Sequence, residues 1–116
     1  MATPTSTRSV VIRARNIILR YGWVRLEPGN VHKGFCIASA VRHAFIGEFP
    51  GEWPPPLTGE ELDLLAHTIE LLDLAVQPLC GRENVVWWND HCAQSKQQVI
   101  VFLNSVIEAL RPAITV

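Results

Sequence analysis

Three cysteines, Cys36, Cys80 and Cys92, are an odd number, and no C-x-x-C pair is formed among them, so neither a disulfide framework nor a zinc knuckle is indicated. A reducing cytoplasm suits such a chain. No run reaches the roughly 18 to 20 apolar residues needed to span a bilayer, which excludes a transmembrane protein. No continuous apolar region marks a secretory signal at the N-terminus. The Ser, Thr and Arg of Thr3 to Arg20, with no acid among them, superficially resemble a transit peptide, but their periodicity favours a helix that stays in the domain. Internal repeats and low-complexity tracts are absent. Acid is nearly missing from residues 1–42, where Glu27 alone faces seven basic groups, while residues 43–116 carry ten carboxylates against Arg82, Lys96 and Arg111.

What is present is ordinary globular material. The chain has 116 residues, 48% of them hydrophobic, and a net charge of −1. A chain of this size buries roughly two-thirds of its unfolded surface, enough for one core without a metal or a disulfide, which speaks against intrinsic disorder. A single helical domain over 1–116 follows, with 1–6 expected to be flexible.

Four amphipathic segments stand out. From Thr7 to Tyr21, Val10, Val11, Ala14, Ile17, Ile18 and Tyr21 recur at spacings of three and four, with Arg8, Arg13, Arg15 and Arg20 mainly elsewhere; Gly22 is a left-handed stop. Arg25 to Gly34 reads as a turn-rich connection. A second helix runs from about Phe35 to Ile46. Pro50, Gly51, Trp53 and Pro54–Pro56 then form a stiff connection over 48–57. A capping box at Thr58 and Glu61 opens a third helix to about Val76, and Ser95 with Gln98 opens a fourth that ends at Pro112. Between these two, Val85 to Trp88 has strand propensity without a partner strand, so 80–94 reads as an extended loop that buries one indole. The predicted fold is all-α, a compact bundle of four main helices with an ordered Trp-containing loop before the last.

Gly22-Trp23, Cys36-Ile37-Ala38-Ser39-Ala40-Val41, Trp88-Asn89-Asp90 and the Ser95-capped last helix stand in an order and spacing that resembles an uncharacterised family of short actinobacterial and actinobacteriophage proteins. The family pattern is a G-W pair, C-[LIV]-x-G-A-[LIV], W-N-D and a Thr- or Ser-capped final helix. This chain departs from it at Ser39, in the Trp53–Pro56 insertion and at His91. The resemblance implies a compact helical fold and a phage or actinobacterial source, with no mechanism.

Several constellations bear on function. Cys36 opening the second helix, with His91 as base and Asp90 or Asn89 as its orienting partner, is the arrangement a cysteine-dependent hydrolase uses; the commoner reading of Cys36 is a buried packing residue. Trp87, Trp88, Asn89 and Asp90 form either a turn anchored on the core or a binding surface. His32, Cys36, Cys80, His91 and Cys92 are metal-ligating types, but no zinc spacing is present and no cofactor is expected. The first helix carries its arginines at seven-residue spacings, as a nucleic-acid-binding helix that meets phosphate would, yet the acidic third helix offers them a partner within the monomer or across a dimer, so nucleic acid is the less favoured alternative. Leu64, Leu71 and Leu74 on the third helix, with Val101 and Phe102 on the fourth, are apolar positions beyond one face. They predict a homodimer or another protein partner, and a non-enzymatic interaction module as the function.

Overall fold

The computed structural model describes residues 4, 6–46, 56–81 and 84–111. The first helix, α1 (Thr7–Tyr21), starts where Ser6 and Ser9 cap each other, the Ser6 hydroxyl accepting from the Ser9 amide at 3.1 Å and the Ser9 hydroxyl from the Ser6 amide at 3.1 Å. Its apolar stripe, Val10, Val11, Ala14 and Ile18, is fully buried. Gly22 ends it, at φ 106° and ψ 179°, an extended mirror-image conformation rather than the expected left-handed helical one; glycine is still the residue that accepts it.

The Arg25–Gly34 connection holds a small antiparallel ribbon of β1 (Gly29–Asn30) and β2 (Gly34–Phe35), with Gly29 opposite Phe35 and Asn30 opposite Gly34. The Asn30 side chain closes its turn, accepting from the amides of His32 at 2.8 Å and Lys33 at 3.0 Å. Phe35 also bridges in parallel to Trp23. Gly34 sits at φ 103°, and a Cβ there would enter the backbone of Gly22 and Trp23.

The second helix, α2 (Ile37–His43), is shorter than the predicted 35–46, because Gly34 and Phe35 belong to the ribbon and residues 44–46 form a turn. The third, α3 (Gly59–Cys80), has the predicted box at Thr58 and Glu61 but continues past Val76 through Pro78. A proline this near the C-terminus frees only the carbonyl one turn back, that of the exposed Leu74. The segment read as an extended loop is instead helical: α4 (Val85–Trp87) runs into a π-helical turn over Trp88–Cys92. Its lone-strand propensity yields because Asn84 caps the Trp87 amide at 2.8 Å and Asp73 accepts from the Val85 amide at 2.8 Å, so the helical start is satisfied at both points. The last helix, α5 (Lys96–Ala109), is capped by Ser95, but Gln98 reaches back to the Gln94 amide at 2.7 Å, one residue earlier than a closed box requires. Of the Pro-rich connection, Pro56 and Leu57 are described; its remainder, Pro112 and most of the N-terminal stretch lie outside the described residues.

The architecture is mostly helical. Helix α1 lies at its centre, packing most extensively on α2 and α5 and less on α3. The core joins its stripe to Phe35, Ile37, Ala40 and Val41, to Leu72 and Val76 of α3, to Val85 and Trp88, and to Val99, Leu103 and Val106 of α5. Each fully buried Val, Leu or Ile contributes on the order of 1.5–3 kcal/mol. Helix α5 buries one face, Val99, Phe102, Leu103, Val106 and Ile107, and leaves Val101 exposed. No helix among the described residues is long and apolar enough to cross a membrane.

Within the chain, no ion pair among the described residues joins α1 to α3. Ion pairs between described residues join Lys33 to Glu27 at 3.4 Å and Arg111 to Glu108 at 3.1 Å. The arginines of α1 instead reach acceptors at the ends and flanks of its neighbours: Arg8 donates to the Ile107 carbonyl at 3.2 Å, Arg13 to the Ala44 carbonyl at 3.3 Å, and Arg15 to the Asn104 side chain at 2.9 Å. Ile107 and Ala44 stand at helix C-termini, where the free carbonyls and the helix dipole favour a cation.

Candidate functional site

The π-helical turn supplies the organising residue. The turn is closed by the Ala93 amide on the Trp88 carbonyl at 2.9 Å and buries two consecutive side chains, Trp88 and Asn89. Trp88 lies against Phe102 with ring centroids 4.7 Å apart and anchors the turn on the core.

Asn89 makes four hydrogen bonds while almost entirely buried. Its Oδ1 accepts from Trp23 Nε1 at 2.8 Å and from the Ile37 amide at 3.0 Å; its Nδ2 donates to the Val24 carbonyl at 3.2 Å and to Asp90 Oδ1 at 2.9 Å. Two N–H groups on one side and two oxygens on the other fix the amide's orientation, since the flipped form would set donor against donor. One side chain thus ties together the segment after α1, the start of α2 and the turn before α5, across sequence separations of 52 to 66 residues.

Asp90 extends the network outward. Its Oδ1 also accepts from the Leu26 amide at 2.8 Å, holding Leu26 at φ 67°, a conformation a branched residue adopts only under constraint. Arg25 adds a bond to the Ala93 carbonyl at 3.0 Å. Leu26 is thereby placed with its side chain 69% exposed over a cleft.

That cleft has a volume of about 460 Å³, within the range of ligand-binding sites. Leu26, Pro28 and Val86 give it apolar walls; Cys36, Ser39, Asn89 and Asp90 give it a polar side, and Glu27 and Arg42 bring charge. Cys36 is the N-cap of α2, its sulfur accepting from the Ser39 amide at 3.3 Å. Burial pushes its thiol pKa up. The Ser39 bond opposes that rise and the Asp90 charge adds to it, leaving the thiol above its ordinary value. The helix N-terminus therefore does not yield the low-pKa nucleophile that the cysteine-hydrolase alternative requires, and the thiol is protonated at neutral pH.

The predicted site residues divide. Cys36, Asn89 and Asp90 come together in the cleft. His91 does not line it; its ring lies 4.9 Å from that of Trp87, on the outside of the turn. His32 is in the ribbon's turn, Cys80 at the end of α3 and Cys92 on the π-helical turn, and no group of three or more metal-ligating side chains exists among the described residues. Leu64 and Leu71 are half-buried against the core, whereas Leu74 and Val101 are exposed. Phe102, 5% exposed, belongs to the core. Trp87 is half-exposed beside Val86.

Trp23, Leu26, Pro28, Ser39, Arg42 and Val86 are the lining and supporting residues that sequence reasoning missed. The signal for Trp23 was an indole N–H close to a helix end, a donor that needs an acceptor when buried, with Asn89 as the one buried amide to supply it. Nothing local marks the others, which reach the cleft through the ribbon and the π-helical turn.

The model of a family of unknown function (DUF6197) matches residues 2–109, nearly the whole chain. No curated protein and no solved structure matches.

Proposed function

Since the chain belongs to that family of unknown function, its role has to be read from its own geometry, and we propose that it is a non-enzymatic recognition module that holds a segment of a partner protein in the cleft. The observation that carries this reading is the cleft's construction. Exposed apolar side chains, Leu26 and Val86, stand over a polar side whose central residue, Asn89, already has all its hydrogen bonds made by the protein. Such a surface is preorganised: an apolar side chain enters without rearranging the walls, and little ordering free energy opposes binding. The raised Cys36 pKa and the outward position of His91 favour binding over nucleophilic chemistry.

The test is selection from a library of displayed random peptides. Wild-type chain is expected to recover peptides that share an apolar residue, and Leu26→Glu and Val86→Glu, each checked for folding by circular dichroism, to lose them. Both positions are exposed, so the fold tolerates the substitutions. Recovery of nothing, or of peptides that bind both variants as well as wild type, overturns the reading. Light scattering separates a foreign partner from a second copy: a monomer that binds peptides fits, while a dimer abolished by Val86→Glu puts another copy of this chain in the cleft instead.

A further inference from the structure

The charges around the cleft are not balanced in pairs. Glu27 is matched by Lys33 at 3.4 Å, outside the lining. Asp90 uses Oδ1 for both of its side-chain bonds, so its Oδ2 makes none with the described residues, and the guanidinium of Arg42, exposed on α2, makes neither a hydrogen bond nor an ion pair with them. One unmatched anion and one unmatched cation thus line the same cavity together with apolar walls. Opposite charges sharing a small cavity ordinarily close on each other when their side chains are free to do so. Asp90 is not free: the Leu26 amide and the Asn89 side chain both hold its Oδ1.

Resting on the recognition reading above, we infer that the segment bound in the cleft is ampholytic, with an apolar residue for Leu26, Pro28 and Val86 flanked by a basic group that meets Asp90 and an acidic group that meets Arg42. The arginine fork suits a carboxylate, which it can engage with two parallel N–H donors. The free Asp90 oxygen suits a lysine or arginine side chain of the segment. Because Asp90 also serves the fold through Oδ1, Asp90→Asn is the informative change: it keeps an acceptor for the Leu26 amide and removes the charge.

The experiment uses a peptide recovered from the library, its analogue with the basic residue replaced by norleucine and its analogue with the acid replaced by its amide, each titrated against wild type, Asp90→Asn and Arg42→Gln. Asp90→Asn is expected to weaken the parent peptide about 3- to 10-fold and to leave the norleucine analogue unchanged, with Arg42→Gln behaving likewise toward the amide analogue, the range of a partly exposed ion pair. Peptides of one charge sign, or peptides whose affinity neither variant alters, overturn the inference. In those cases continued sensitivity to Leu26→Glu and Val86→Glu leaves the recognition reading standing, whereas recovery of no peptide at all removes both.

Discussion

Replacing Asn89 by alanine isolates the residue on which the cleft depends. The substitution strands three groups: the Ile37 amide, fully buried, and the Trp23 indole N–H and Val24 carbonyl, both half-buried. A buried donor left unpaired costs about 1–3 kcal/mol, and the two half-buried groups, which water can partly reach, about 0.5–1 kcal/mol each, so the expected loss is roughly 2–5 kcal/mol. Against a domain stability of about 5–15 kcal/mol this is large, and it corresponds to a fall in Tm of roughly 10–20 °C. Urea unfolding followed by tryptophan fluorescence measures it, and the midpoint is expected to move while the slope stays unchanged. Trp23→Phe removes one of the same bonds, so the double variant is expected to lose at least about 0.5 kcal/mol less than the two single losses combined. Asn89→Asp adds a sign test. It keeps the acceptor but places a carboxylate against Asp90, which raises the new carboxyl's folded pKa above its unfolded value. The variant is then most stable at low pH and loses stability as pH rises through that folded value. A loss below about 1 kcal/mol for Asn89→Ala, or strict additivity with Trp23→Phe, refutes the network's role.

Gly34→Ala is expected to destabilise by more than about 2 kcal/mol, since it combines a positive φ with entry into the Gly22 backbone, whereas Gly81→Ala, also at positive φ but in open space, costs about 1 kcal/mol; thermal unfolding of the pair separates steric collision from conformational strain. Iodoacetamide labels Cys36 more slowly than a free thiol at pH 8 and is slowed further by a bound peptide, as peptide mapping reports. Its raised folded pKa means that the stability it contributes is complete below the unfolded value, about 8.5, and is lost as pH climbs through the folded one, a slope that Cys36→Ser abolishes. Phe102→Ala costs about 3–5 kcal/mol in chemical unfolding, as a core position should, while Leu74→Ser and Val101→Ser stay within about 0.5 kcal/mol because both side chains already meet solvent.

Helices and their starts were legible in the sequence because they are local. The 3.6-residue stripe of α1 and the Thr58–Glu61 box predict their elements from a few neighbouring side chains, and both are present. The site was legible only in part. Trp88, Asn89 and Asp90 attract attention as a motif, but their sequence neighbourhood suggests a local turn, while the bonds of Asn89 and Asp90 run chiefly to Trp23, Val24, Leu26 and Ile37. No periodicity encodes a contact between residues more than fifty positions apart. The charge asymmetry misled for a related reason: composition counts arginines and carboxylates but does not say that helix-end carbonyls compete for the arginines.

The Asn89 bonds also bear on the order in which the chain is made. Synthesis delivers Trp23, Val24 and Ile37 long before Asn89, so those three groups emerge as donors and acceptor without their eventual partner and stay hydrated until the last quarter of the chain arrives. Any shorter nascent form therefore lacks the Asn89 and Asp90 part of the cleft lining. An N-terminal fragment stopping before residue 89 can build helical turns but lacks the side chain that joins them, and under the recognition role proposed above it is expected to bind no peptide.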